Sequence, residues 1–156
     1  MRIHFASRPH LLHQPGGDTV HLLQTMKALE ERGHTVALHD PQFAAGADLQ
    51  HFFNLGRPEY LLPWRNAQPS IPYIVSTLYV QYAQSDSLLP GWSGKLARYF
   101  SPSTLAYLKV LNRTLNLGER PSFSYFLKGQ KRSENQLARH AYRLISATRA
   151  EADLVQ

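Results

Sequence analysis

The first forty residues alternate an apolar run, a breaker-rich loop, a helical periodicity and a second apolar run, and that order admits few folds. Arg2-Ile3-His4-Phe5-Ala6 is short and apolar, as a buried strand is. Residues 7–17 carry Pro9, Pro15, Gly16 and Gly17 and read as a loop. From Asp18 the period changes: Leu22, Leu23, Met26 and Leu29 line one side of an amphipathic helix, while Gln24, Lys27, Glu30 and Glu31 cover the others. Asp18 is the expected N-cap, its carboxylate accepting from free amides of the first turn, and Gly33 is the left-handed residue that ends the helix. His34-Thr-Val-Ala-Leu-His39 supplies a second strand closed by Asp40-Pro41. Strand, helix and strand in this length make a βαβ unit with a right-handed crossover.

The pattern continues. Asp48-Leu-Gln-His-Phe-Phe53 is a third strand, residues 56–66 a turn and short helix, and Ile71-Pro-Tyr-Ile-Val-Ser-Thr77 a fourth strand with Pro72 held to its start, because proline cannot donate to a central ladder. A polar loop is expected over residues 78–92, helices over 93–100 and 103–117, a loop over 118–130, and a helix over 134–142. Arg143-Leu-Ile-Ser-Ala147 reads as a fifth strand, and Thr148-Arg-Ala-Glu151 matches a capping box that opens another helix. The fold class is α/β, an open parallel sheet of Rossmann-like type with helices on both faces. A helix stopped about two turns after its cap anchors itself poorly, so the ending reads as a truncation.

Composition narrows the chemistry. A chain of 156 residues builds one domain. It holds no cysteine, which excludes disulfides, thiolate metal sites and cysteine nucleophiles and fits a reducing cytoplasm. No apolar run approaches the roughly 20 residues of a membrane span, and the first strand leaves no room for a secretion signal. The net charge of +6 favours an anionic partner. Most of it lies late: residues 94–143 hold ten Lys or Arg against Glu119 and Glu134 alone, a local balance of +8. Neither G-x-G-x-x-G nor a G-x-x-x-x-G-K-[ST] loop is present, so ordinary dinucleotide or P-loop binding has no support.

Pro15-Gly16-Gly17-Asp18 through His21, followed by Leu29-Glu-Glu-Arg-Gly33-His34-Thr-Val36, resembles the opening of the family 4 glycosyltransferases. Asp48 to His51, Pro72 to Thr77 and Arg143 to Glu151 resemble that family's third strand, fourth strand and late strand-to-helix step. The resemblance spans essentially the whole chain and implies the N-terminal, acceptor-side domain of a two-domain GT-B enzyme, whose C-terminal donor-binding domain is absent. It implies retaining transfer of a sugar from a nucleotide-sugar donor to a glycan or lipid-linked acceptor, without a metal or other cofactor. The domain alone is expected to be inactive.

Residue by residue, the resemblance puts Gly16 and Gly17 against the donor diphosphate and sugar. The residues agree with this, since side-chain-free backbone followed by a helix directs amides and a positive dipole end at an anion. A plain helix-entry turn is the other reading. Many family members carry a histidine just after the fourth strand, in a Thr-x-His setting; here Tyr79 follows Thr77-Leu78, and a phenol is a poor proton shuttle near neutral pH. Tyr79 is either the functional replacement or a loop anchor. Thr77, His10, His13 and His51 are the candidates to border the acceptor cleft, with His51 also readable as a hydrogen-bonded structural histidine and His10–His13 as a weak metal pair. Lys95, Arg98, Tyr99, Phe100, Lys109, Arg113, Lys128, Lys131 and Arg132 form either a patch for an anionic membrane surface, as in a peripheral enzyme, or a solvated basic face. They also suit single-stranded nucleic acid, but no recognised nucleic-acid module accompanies them. The alternative to an enzyme is a non-catalytic module that binds an anionic or glycan ligand.

Overall fold

The computed structural model describes residues 1–78, 123–149 and 152. They form an α/β, Rossmann-like open sheet of five parallel strands: β1 (Arg2–Ala6), β2 (Thr35–Leu38), β3 (Leu49–Phe53), β4 (Tyr73–Ser76) and β5 (Arg143–Ile145). The strand order is β2-β1-β3-β4-β5. Among the described residues the connections carry α1 (Gly17–Glu30), α2 (Pro41–Ala45), α3 (Pro58–Ala67) and α4 (Phe123–His140). None of these helices is long and apolar enough to cross a membrane.

The order of the strands decides where the helices go. The chain steps from β1 outward to β2 in one direction, and from β3 to β4 and β5 in the other. Crossovers of one hand taken in opposite directions lie on opposite faces. Packing agrees. Leu22 of α1 joins Ile3, Phe5 and Phe53 in one core, whereas Leu61 and Leu62 of α3, with Tyr125 and Leu137 of α4, bury Ala6, Phe52, Tyr73 and Val75 in the other. Strand side chains alternate between the two, which is why His4 and Phe5, or Phe52 and Phe53, serve different cores.

Four local readings of the sequence need correction. The N-cap of α1 is Gly16, not Asp18: the Thr19 hydroxyl accepts from the Gly16 amide at 3.0 Å, and Asp18 is taken by Arg8. Leu23 is 44% exposed, because Leu22, Met26 and Leu29 already fill the face at i, i+4, i+7 spacing. Asp40-Pro41 begins a helix as well as closing a strand, with Asp40 Oδ1 accepting from the amides of Gln42 and Phe43. The loop expected over residues 118–130 is, from Phe123, the first half of α4, which runs on to His140 across a break at Gly129 (φ 73°). Tyr125, fully buried in the core, donates to Gln130 Oε1 across that break at 2.7 Å and ties the two halves together. Gly33 behaves as expected: at φ 81° it donates to Glu30 O while His34 donates to Leu29 O, the paired bonds of a Schellman ending. The helices expected over 93–100 and 103–117 lie outside the described residues, as does most of the helix expected after Thr148.

Burial of Leu22 and exposure of Leu23 give opposite expectations for the same change. Leu22→Ala should lower unfolding free energy by about 2–5 kcal/mol, and Leu23→Ala by no more than about 0.5 kcal/mol, measured by urea denaturation. Equal losses would place the helix in a different rotation on the sheet.

Candidate functional site

All five strands end on one edge, and ligands of open α/β sheets bind outside the carboxyl ends of strands where adjacent connections leave to opposite faces. β1 and β3 are neighbours; the chain leaves β1 for α1 on one face and passes from β3 to α3 on the other. The carboxyl edge that carries residues 7–16 and residues 54–57 is therefore the candidate site.

Backbone strain gathers at the same edge. Every non-glycine residue of positive φ among the described residues lies there: His10 (59°) in the loop after β1, His39 (54°) directly after β2, Asn54 (73°) directly after β3, and Leu78 (43°) just past β4. Histidine and asparagine tolerate this region better than most residues, whereas leucine does not. Such positions cost on the order of 1–3 kcal/mol each and are held by their surroundings, commonly at ligand sites.

The start of α1 forms one wall. Gly16 is extended (φ −144°, ψ −171°), and Gly17 is the first helical residue. A Cβ built on Gly17 meets no atom within 4 Å, so there is open space beside this residue. Thr19 caps backward to Gly16 and donates to Leu11 O at 3.2 Å, and its own amide bonds Asp18 Oδ1. The amides of Gly17 and Asp18 make no hydrogen bond among the described residues. Arg8 closes the loop on itself. Its guanidinium pairs with Asp18 at 2.7 and 3.3 Å and reaches Gln14 O at 2.6 Å. Partial burial acts to raise the Asp18 carboxyl, but the hydrogen bonds and charge of Arg8, with Thr19, hold it below the usual carboxylate range. Asp18 therefore brings little net charge to the helix end, because a cation from the same loop accompanies it.

The loop after β3 forms the other wall. Arg57 N bonds Asn54 O, and Gln130 of α4 donates to Gly56 O at 3.1 Å, bracing the loop from behind. Arg57 approaches Glu59, which is buried in the first turn of α3, at 3.8 Å.

Of the residues singled out from sequence, Gly16, Gly17, His10 and His13 share the loop after β1 and come together at this edge. His10 accepts from the amides of His13 and Gln14, and the two exposed imidazoles stand 6.0 Å apart, edge to face. Among the described residues no group of three or more His, Asp or Glu side chains assembles as a metal cage. His51 stays inside the sheet: it is 4% exposed, packed 4.4 Å from the Phe53 ring, with Nε2 2.9 Å from Ser76 Oγ. Thr77 is buried and bridges to the edge strand, its amide bonding Ile145 O at 2.9 Å and its hydroxyl 3.3 Å from both Ile145 O and Ser146 Oγ. Tyr79 lies outside the described residues.

Sequence reading missed Arg8, Asn54 and His39. Asn54-Leu-Gly56 after a strand is a turn signal that marks the second wall. Arg8 carries no such signal, since its partner lies ten residues on. His39 links strand ends: its Nε2 stands 3.0 Å from both the amide nitrogen and the carbonyl oxygen of Ser7, and its ring stacks on Trp64, which also packs on buried His4.

Comparison with protein-family models, with curated proteins and with solved structures returned no match.

Three histidines under this edge make stability depend on pH. Burial lowers His51 to about 3, with the charge of His21 adding to it. Burial and the neighbouring His39 lower His4 to about 4 against the opposing pull of Asp40, and burial lowers His39 against its bond to Ser7. Each is harder to protonate in the fold than in the unfolded chain, where the ordinary value is about 6.5. Their stabilisation is thus complete above about pH 6.5 and is lost as pH falls toward the folded values. Unfolding free energy should decline below pH 6.5 by up to roughly 1.4 kcal/mol per pH unit for each histidine. The contribution of Asp18, whose folded value is depressed, is lost only below about pH 4. His51→Asn should make the slope between pH 6 and 5 measurably shallower, and an unchanged slope would show that His51 titrates normally.

Proposed function

We propose that this chain is the acceptor-side domain of a retaining, family 4-type glycosyltransferase, and that its β1–α1 edge receives the diphosphate and sugar of a nucleotide-sugar donor. One observation carries the reading: a glycine-led helix start, with room beside Gly17 and its first two amides unpaired among the described residues, stands at the switch point of a parallel sheet. Oriented amides at a helix N-terminus stabilise a phosphate without a metal, and the dipole adds to them. The Arg8 guanidinium, fixed by Asp18 and Gln14, offsets the Asp18 carboxylate that would otherwise oppose a phosphate at this helix end. The chain supplies one wall of a two-walled cleft. A second domain would supply the other, and with it the orientation that transfer requires.

His10 and His13 border this edge and suit contact with acceptor hydroxyls. His51 and Thr77 act from behind it, holding β3, β4 and β5 in register. Exposed Lys128, Lys131 and Arg132 on α4 favour attachment to an anionic inner membrane surface for a lipid-linked acceptor. A non-catalytic module that binds an anionic or glycan ligand is the second reading, favoured by Tyr79 standing where the family carries its histidine.

Gly17→Val separates the ligand-facing reading from the plain turn. Gly17 has no positive φ and an added Cβ meets nothing, so the variant should unfold within about 1 kcal/mol of the parent. Its affinity for uridine- and guanosine-diphosphate sugars, read by calorimetry, should fall at least about tenfold through loss of amide contact. Unchanged affinity would remove this loop from the site, and a matched loss of stability and affinity would return it to a structural turn.

A further inference from the structure

A second cleft lies at the opposite edge of the sheet. There α3 and α4 both end, one before β4 and the other before β5, and between them opens a cavity of about 270 Å³. Arg65 and Asn66 line it from α3, Gln136 and His140 from α4, and Tyr73 with Leu137 form an apolar wall. No carboxylate is among the described residues that line it. The acid within α4, Glu134, accepts from Gln130 instead, on the side that braces Gly56.

Arg65 and His140 are held in place before any ligand arrives. Arg65 donates to Gln68 O at 3.3 Å and lies over the Tyr73 ring at 5.1 Å, while the Tyr73 hydroxyl is fixed by donating to Leu137 O at 2.8 Å. His140 Nδ1 stands 2.9 Å from Gln136 O, which leaves Nε2 to the cleft or solvent. Arg65 and His140 thus each meet a carbonyl near the end of their helix, and the Arg65 charge offsets the negative dipole end of α3. A guanidinium has five N–H donors in a planar fork, so Arg65 retains donors after the Gln68 bond. Fixed donors lose little freedom on binding. Lys128, Lys131, Arg132 and Arg139 are all exposed along α4 and add a positive field that draws anions toward the cleft.

We propose that this cleft is a binding site for a phosphate-type oxyanion, separate from the carboxyl-edge site. Arg65 grips the oxyanion through its fork, the side-chain amides of Asn66 and Gln136 donate beside it, and the His140 ring closes the rim of the cleft. Tyr73 and Leu137 leave room beside it for a small organic group, the volume being just below the roughly 300 Å³ at which drug-sized sites begin. The phosphate belongs either to a soluble ester or to a lipid headgroup.

The test is a titration of isotope-labelled protein with inorganic phosphate at constant ionic strength, with chloride as control. The expected result is a saturable shift of the His140 imidazole and of the Asn66 and Gln136 side-chain amides, absent with chloride. Arg65→Gln should weaken it at least about tenfold, as loss of a charged fork implies. His140→Gln, at an exposed position, keeps the test valid if the first variant fails to fold. A parallel sedimentation with vesicles of phosphatidic acid in phosphatidylcholine identifies the source: association lost in the same variants assigns a lipid headgroup, and phosphate binding without association assigns a soluble ester. An imidazole unmoved by phosphate, or a response that survives both substitutions, overturns the site.

Discussion

Strands β1 and β3 are paired on both sides and covered on both faces, and this double burial dictates most of what surrounds them. Their amides and carbonyls must be satisfied within the sheet, so register is strict: Ile3 stands between Val36 and Leu49, and Phe52 between Ala6 and Val75. Each face needs its own apolar helix surface, which α1 gives to one side and α3 with α4 to the other. The two strands then release the chain to opposite faces, which makes their carboxyl edge the switch point of the sheet. The candidate site is a consequence of that topology before any particular residue is considered.

What fills the edge is polar and strained. Four non-glycine residues of positive φ collect there, and the loop after β1 is knotted by Arg8, Asp18, Gln14, Thr19 and Leu11 into a fixed shape. A loop that served only to enter a helix would need none of the Arg8 contacts, since Thr19 alone satisfies the Gly16 amide. Just behind the edge, neutral His51, His4 and His39 occupy positions where a hydrocarbon side chain would pack with no pH cost. Gln130 carries the same logic across the α4 break, since one amide meets Gly56, Glu134 and Tyr125.

Much of the sheet was legible in the sequence, because buried parallel strands must be apolar and the breakers between them are glycines and prolines. All five strands stand where their apolar runs do, with ends within a few residues. The strand order was not legible: no local signal tells a chain to return beside β1 rather than beyond β2. One helix and the first half of another escaped for opposite reasons, while the second half of α4 was expected. Asp40-Pro41 is both a strand terminator and a helix opening, and Gly129 reads as a breaker although the chain crosses it with Tyr125 and Gln130 bonded on either side. At the site, Gly16 and Gly17 announced themselves by type, while Arg8 became visible only through its fold-dependent partner. Tyr79 lies outside the described residues, so its role still rests on its place after Thr77.

The central claim is that the β1–α1 edge, and not merely some basic surface, receives a nucleotide diphosphate. An amide-resolved magnetic-resonance map of the protein titrated with a nucleoside diphosphate tests it most directly. The account predicts the largest saturable shifts at the amides of Gly17 and Asp18 and the Arg8 side chain, with smaller ones at Asn54 and Gly56 in the loop after β3. Shifts confined to the lysines and arginines of α4, with Gly17 and Asp18 unmoved at saturation, would contradict it.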